Sequence, residues 1–344
     1  MELRTIEWKD NSVIMIDQTK LPNELIFVKY TDYNDVAEAI RTLVVRGAPA
    51  IGVSGAFGMA LAALQSSSEN IEDLLSDLKK AKKILFETRP TAVNLSWALE
   101  KIMKIAEQGK TVSEIKDSVI ANAKEMAEDD ININKKMGKN GAELFENNDT
   151  IMTHCNAGAL ATVAYGTALG VIRATNESGK NIKVIATETR PVQQGSRLTA
   201  FELKHDGISV SLIPDTAVGY TMANGLVNGV VVGADRILQT GHVFNKIGTY
   251  QVATMAKQHN IPFYVAAPLS TFDLQSKPDD VIIEQRKASE VTGIADKKTA
   301  PDGIDVINPA FDMTPPELIS GIITENGVAK SPFQESIKEL FAAN

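Results

Sequence analysis

Cysteine is nearly absent from this chain: the 344 residues hold one, Cys155. A single thiol excludes a disulfide scaffold. Four scattered histidines (154, 205, 242 and 259) add no ligand spacing for a structural metal. Positive charge is also short, with 35 Lys and Arg against 43 Asp and Glu and a net −8. The global cationic field of a non-specific nucleic-acid binder is therefore missing, and no nucleic-acid partner is expected. No run approaches the ~20 apolar residues that span a bilayer, and the start, MELRTIEWKD, has no signal-type apolar core. A cytoplasmic protein with no membrane partner is the expectation. The GxGxxG dinucleotide fingerprint, the GxxxxGK phosphate loop, GxSxG and HExxH are all missing as well, so no nucleotide, other cofactor or metal is expected.

What is present is ordinary globular material, 44% hydrophobic and 23% charged, long enough for two domains. The first thirty residues alternate apolar and polar, and predict short antiparallel strands joined around Asp10-Asn11 and Leu21-Pro22. From residue 33 to about 145 the texture is helical. Val36, Ile40, Leu43 and Val44 share a face, and 71–87 has apolar residues at three- and four-residue spacing. Residues 111–145 read as one long helix or two, with Thr111 and Glu114 as a candidate capping box.

A different rhythm begins near residue 148. Short β-branched runs at 150–155, 182–188, 208–213, 229–235 and 262–267 alternate with helical segments at 162–174, 196–205, 215–224 and 248–259. The pattern predicts an α/β fold. A mostly helical domain with a small antiparallel sheet spans 1–147, and a domain built on a parallel sheet covered on both faces spans 148–344. Ligands bind such sheets beyond the carboxyl ends of the strands. Cys155 to Gly158, Glu188 to Pro191, Pro214-Asp215 and Gly233 to Arg236 all fall there.

Several residues at these places could carry chemistry, and each also has a plain structural reading. RGAPAIGVSGAFGMALAAL (46–64) is either a tightly packed small-residue helix or a phosphate site. In the second reading Arg46 and the free N–H groups of Gly47 and Ala48 precede a helix with Pro49 in its first turn. Arg89 stands before Pro90 and Thr91, which open the next helix. Cys155 is either a buried small hydrophobe or a thiolate favoured by the N–H groups of a helix starting after it. Asp235 is either a turn or helix cap, or a carboxyl group kept protonated by an apolar pocket and able to donate a proton. Asn245-Lys246 precedes a helix, where Lys246 either balances a phosphate or lies in a solvated turn. His154 and His242 have no nameable partner and read as structural.

Together these segments resemble the methylthioribose-1-phosphate isomerase family, which also holds regulatory subunits of the exchange factor for eukaryotic initiation factor two. The matching runs are VVRGAPAIG (44–52), TRPTAVNL (88–95), THCNAGALAT (153–162), ETRPVQQGSRLTAFEL (188–203), VVGADRI (231–237), NKIGTYQVA (245–253), IPFYVAAPLSTFD (261–273) and NPAFDMTPPELI (308–319). The resemblance covers almost the whole chain. It implies a helical N-terminal domain, a Rossmann-like C-terminal domain, a homodimer and a small sugar phosphate as substrate.

The implied reaction turns 5-methylthioribose 1-phosphate into its ketose within methionine salvage. Asp235 is implied as proton donor and Cys155 as the group beside the reacting carbon. Arg46, Gly47, Ala48, Arg89, Gln194, Asn245 and Lys246 are implied as substrate contacts. On residues alone Gln194 passes for a loop amide. Two positions depart from the common pattern: Thr187 stands where an acidic residue precedes ETRP, and Asp215-Thr216 replaces an Asp-Asn pair. Both bear on which sugar is preferred, with 5-deoxyribose 1-phosphate and ribose 1,5-bisphosphate as the alternatives. A non-catalytic regulatory subunit is disfavoured, because it would need neither Cys155 nor Asp235.

Overall fold

The computed structural model describes residues 3–90, 92–294 and 297–342. Its chain divides into two units, Met1–Lys135 with Gly158–Gly166 and Lys136–Ala157 with Thr167–Asn344. The change of unit falls inside a helix and not at residue 148, and a short segment after Cys155 returns to the first unit.

In the first unit, β1 (Ile6–Lys9), β2 (Ser12–Ile16) and β3 (Phe27–Tyr30) form an antiparallel sheet in that order. Asp10 and Asn11 both take positive φ, as a two-residue hairpin turn requires. Helices α1 (Tyr33–Arg41), α2 (Ala48–Gln65), α3 (Ile71–Phe86) and α4 (Val93–Ala106) follow, then α5 (Val112–Ala142), which runs on into the second unit. The 111–145 region is thus one long helix. Thr111 accepts the Glu114 N–H as an N-cap should, but the Glu114 carboxylate reaches back to Lys110 N–H, one residue before its expected target.

Helix α2 is apolar and long enough, at 18 residues, to rank by composition as a membrane span. Most of it is buried, because Gly55 and Gly58 let Leu95 of α4 and Leu85 of α3 close onto its backbone. It is the core helix of this unit, and its small residues serve that packing.

The second unit runs β4 (Thr150–Thr153), α6 (Ala168–Glu177), β5 (Lys183–Thr187), α7 (Ala200–His205), β6 (Val210–Ile213), α8 (Val218–Ala223) and β7 (Gly229–Val232). Next come β8 (Arg236–Leu238), β9 (Val243–Lys246), α9 (Thr249–Gln258), β10 (Phe263–Ala266), β11 (Phe272–Asp273), α10 (Ser289–Thr292), β12 (Gly293–Ile294) and β13 (Lys297–Lys298). β14 (Phe311–Thr314), β15 (Gly321–Thr324), β16 (Gly327–Ala329) and α11 (Phe333–Ala342) complete it.

The main sheet has the order β16-β15-β10-β7-β4-β5-β6 and is parallel except for β16. This is the predicted α/β architecture, with β7 and β10 buried throughout or nearly so. Four short strands, in the order β11-β8-β9-β14, form a second sheet that the sequence reading lacks.

The expected helix at 162–174 is shorter and later. Ala159–Ala161 makes only a 3₁₀ turn, and α6 starts at Ala168. The segment 158–166 instead packs within the first unit. There Gln18 donates to the Leu160 carbonyl at 2.7 Å and Thr5 to the Ala159 carbonyl at 2.7 Å.

Candidate functional site

In the second unit the loops at the carboxyl ends of β4, β5 and β7 converge. Cys155 follows β4 in a left-handed conformation (φ 63°) and is nearly buried. Its N–H donates to Thr189 Oγ1 at 2.8 Å, and its carbonyl accepts from the Thr199 hydroxyl at 2.6 Å. Contrary to expectation, no α-helix begins just after Cys155 to favour a thiolate with its N–H groups: α6 starts only at Ala168.

Beyond β7, Gly233 lies against Ala157 so closely that a Cβ there would sit 2.6 Å from the alanine methyl. The chain then reaches Asp235, whose N–H donates to the Phe244 carbonyl at 2.9 Å. Strand β8 follows directly, so Asp235 is not a helix cap. Antiparallel pairing of β8 with β9 sets Asn245 and Lys246 beside it.

Asn245 is buried, and its amide donates to Thr249 Oγ1 at 3.0 Å. Lys246 is not in a solvated turn. Its Nζ donates to the Ala310 carbonyl at 3.0 Å and lies 4.6 Å from the Phe311 ring centre. An ammonium has three donors, so this geometry does not exhaust it.

Gln194 is 92% hidden from solvent, and its Oε1 has no hydrogen-bond partner among the described residues. An orphaned buried acceptor is costly and calls for an explanation; a ligand hydroxyl would satisfy it. Gln194 opens a π-helical turn, Gly195–Thr199, a rare geometry that concentrates at functional sites. Gly195 permits it, because a Cβ there would lie 1.7 Å from the Thr187 carbonyl oxygen.

In the first unit, Gly47 caps α2 with φ 92°, and Pro49 stands in the first turn as expected. Arg46 Nε donates to Gln18 Oε1 at 3.2 Å. The N-terminal ends of α2 and α4 approach at Gly52, where a Cβ would be 3.0 Å from the Asn94 carbonyl. Arg89 lies three residues before the α4 cap, in a turn closed by Ala92 N–H on its carbonyl. Helix α4 begins at Val93, later than the predicted Pro90, and Thr91 lies outside the described residues. Among the described residues no cluster of three or more His, Cys, Asp or Glu side chains could hold a metal ion.

His154, expected to be structural and without a nameable partner, is buried and has two partners. Its Nδ1 lies 2.7 Å from Thr187 Oγ1 and its Nε2 2.8 Å from the Ile247 carbonyl, with the ring beneath Gly248. Burial pushes its pKa below the usual histidine value, against the Ile247 bond and the charge of Asp215. Adjacency to Cys155 at a strand end was the only signal available.

In the second unit, close approaches that glycine permits, the left-handed Cys155, and Asp235 with strand β9 gather at the carboxyl ends of the parallel strands, the place where α/β sheets take their ligands. The chain belongs to the initiation factor 2 subunit family, whose profile matches residues 44–331. It is 51% identical to a methylthioribose-1-phosphate isomerase of Geotalea daltonii over 99% of both chains. It is also 51% identical to the Thermosipho africanus protein of that name over 99% of each.

Among solved structures, the 5-methylthioribose 1-phosphate isomerase of Pyrococcus horikoshii superposes with TM-score 0.94 at 45% identity, covering 99% of this chain and 96% of that one. A chain from A. fulgidus described as translation initiation factor eIF-2B, subunit delta, superposes with TM-score 0.90 at 48% identity over 99% of both.

Proposed function

We propose that this protein is an aldose–ketose isomerase converting 5-methylthioribose 1-phosphate to 5-methylthioribulose 1-phosphate. The observation that carries the reading is the likeness along 99% of both chains, at 51% identity, to a protein named for that reaction.

The anomeric oxygen of the substrate is tied to phosphate, so the ring cannot open as a free hemiacetal does. Asp235, protonated, gives its proton to the ring oxygen as the bond from that oxygen to the first carbon breaks. The electron pair leaves with the oxygen, and positive character develops at the first carbon. A hydrogen then moves from the second carbon to the first, as a hydride or through an enolate, and loss of the second hydroxyl's proton leaves the ketone. Cys155 stands beside the first carbon, as base or as a thiolate that steadies the cation. Arg46, the N–H groups of Gly47 and Ala48, Arg89 and Lys246 hold the phosphate. Gln194 and Asn245 bind sugar hydroxyls, the former through its orphaned Oε1.

The same reading carries a cytoplasmic homodimer that needs neither metal nor nucleotide. Light scattering at the mass of one chain contradicts the dimer.

A second reading, a non-catalytic initiation-factor subunit, is favoured by the name of the A. fulgidus neighbour. One experiment separates the two. Purified protein, desalted and treated with chelator, is given 5-methylthioribose 1-phosphate, 5-deoxyribose 1-phosphate and ribose 1,5-bisphosphate in parallel. An isomerase forms ketose phosphate, fastest from the first; a regulatory subunit turns over none.

A further inference from the structure

Cys155 and Thr189 both have φ 63°. Left-handed backbone is costly for a non-glycine residue and persists only where the surroundings over-determine it; for a β-branched threonine it is a true outlier.

What fixes the pair is one directional hydrogen-bond chain. The Ile247 carbonyl can only accept, so His154 carries its proton on Nε2 and presents Nδ1 as an acceptor. The Thr187 hydroxyl therefore donates to Nδ1 at 2.7 Å. Its oxygen is left as an acceptor for the Thr189 hydroxyl, which lies 3.3 Å from it and 3.3 Å from the Thr187 main-chain carbonyl. Thr189 Oγ1 in turn accepts the Cys155 N–H at 2.8 Å.

The chain is braced on both sides. Thr199 holds the Cys155 carbonyl, and the Asp215 carboxylate accepts the N–H groups of Thr189 at 2.8 Å and Arg190 at 2.6 Å. Thr187, Thr189 and Thr199 are 0% exposed, so bulk water cannot take over a missing hydroxyl without rearrangement.

We propose that the Thr187 and Thr189 hydroxyls, given their direction by the Nε2–H tautomer of His154, are the positioning device that aims Cys155. The step from there to turnover rests on the reading of Cys155 as a group of the isomerisation. Thr187 is the cleanest handle, because it closes strand β5, where a valine has the same shape.

Thr187→Val leaves Nδ1 without its donor and leaves Thr189 only the main-chain carbonyl of residue 187 as acceptor. The expected result is a fall in kcat of about 10²-fold, the scale of an ångström's misplacement, with KM unchanged. Thr187→Ser should recover most of the rate. Wild-type kcat in Thr187→Val, or a Thr187→Ser variant as slow as Thr187→Val, overturns the proposal.

Two readouts need no sugar phosphate. Cys155 is the only cysteine, so alkylation by iodoacetamide reports its thiol alone. The rate should change in Thr187→Val and match wild type in Thr187→Ser; an unchanged rate in Thr187→Val overturns the proposal. The ¹⁵N spectrum of the wild-type ring should show His154 protonated at Nε2 and bare at Nδ1, and the opposite tautomer overturns it whatever the variants do. If wild type turns over no sugar phosphate, the isomerase reading fails, while alkylation and tautomer still decide whether the hydroxyl pair aims Cys155.

Discussion

Asp130 Oδ2 accepts the Val163 N–H at 2.7 Å, pinning to α5 the segment that returns to the first unit after Cys155. Burial raises the Asp130 carboxyl from 3.8 to about 7, against the bonds from Val163 and Asn134 that favour the charge. A native pKa raised above the unfolded one means the contribution to stability is full below 3.8 and is lost as pH rises through about 7. Asp130→Asn keeps an acceptor for Val163 and does not titrate. Thermal melting should find the variant gaining on wild type as pH rises from about 5 to about 8. Parallel melting curves across that window contradict the assignment.

Gly47 has φ 92°, and a Cβ on it would meet the Ala161 backbone at 2.5 Å. Gly47→Ala combines a left-handed alanine with a clash against main chain. Chemical denaturation should show a loss of ~1–3 kcal/mol. Substrate affinity should fall with it, because the turn carries Arg46. A variant as stable as wild type would mean the first-unit contact with Ala161 is not made.

Arg89→Ala should weaken binding of the sugar phosphate by ~1.5–3 kcal/mol, the worth of a charged hydrogen bond. Arg89→Lys should recover little if the contact is a two-pronged fork that an ammonium cannot match. Calorimetric titration reads both, and an unchanged dissociation constant removes Arg89 from the site.

Glu202, fully buried, accepts from Arg173 Nη2 at 2.8 Å and from Asn156 Nδ2 at 2.8 Å. Asp206 shares the same guanidinium at 2.6 Å. Glu202→Gln takes away the more deeply buried of the two counter-charges. Breaking such a pair from one side costs ~3–5 kcal/mol, and the retained Asp206 puts the expectation at the lower end. A denaturation midpoint equal to wild type contradicts this.

The alternation of strands and helices after residue 148 was legible because each β-branched run is bounded by glycine or polar residues. So was the α2 start, where Gly47 and Pro49 each have one natural position. The segment 158–166 was not legible. Its small residues fit a helix locally, while contacts with residues far off in sequence, Thr5, Gln18 and Asp130 among them, hold it in another shape. The sheet of β8, β9, β11 and β14 was missed because strands of two to four residues show no period. The His154 chain was hidden for a related reason, since its partners Thr187 and Ile247 lie 33 and 93 residues away. Residue types reported where Cys155 and Asp235 fall in the fold, but not what steadies them.

The measurement that bears most directly on the account is turnover by Asp235→Asn under saturating 5-methylthioribose 1-phosphate, with binding measured alongside. Asparagine keeps the size of the side chain and leaves the backbone bond from residue 235 to the Phe244 carbonyl in place, while removing the transferable proton. The expected rate is lower by ~10²–10⁴-fold with the dissociation constant little changed. Near-normal turnover by this variant would contradict it and leave Cys155 as the only acid–base candidate.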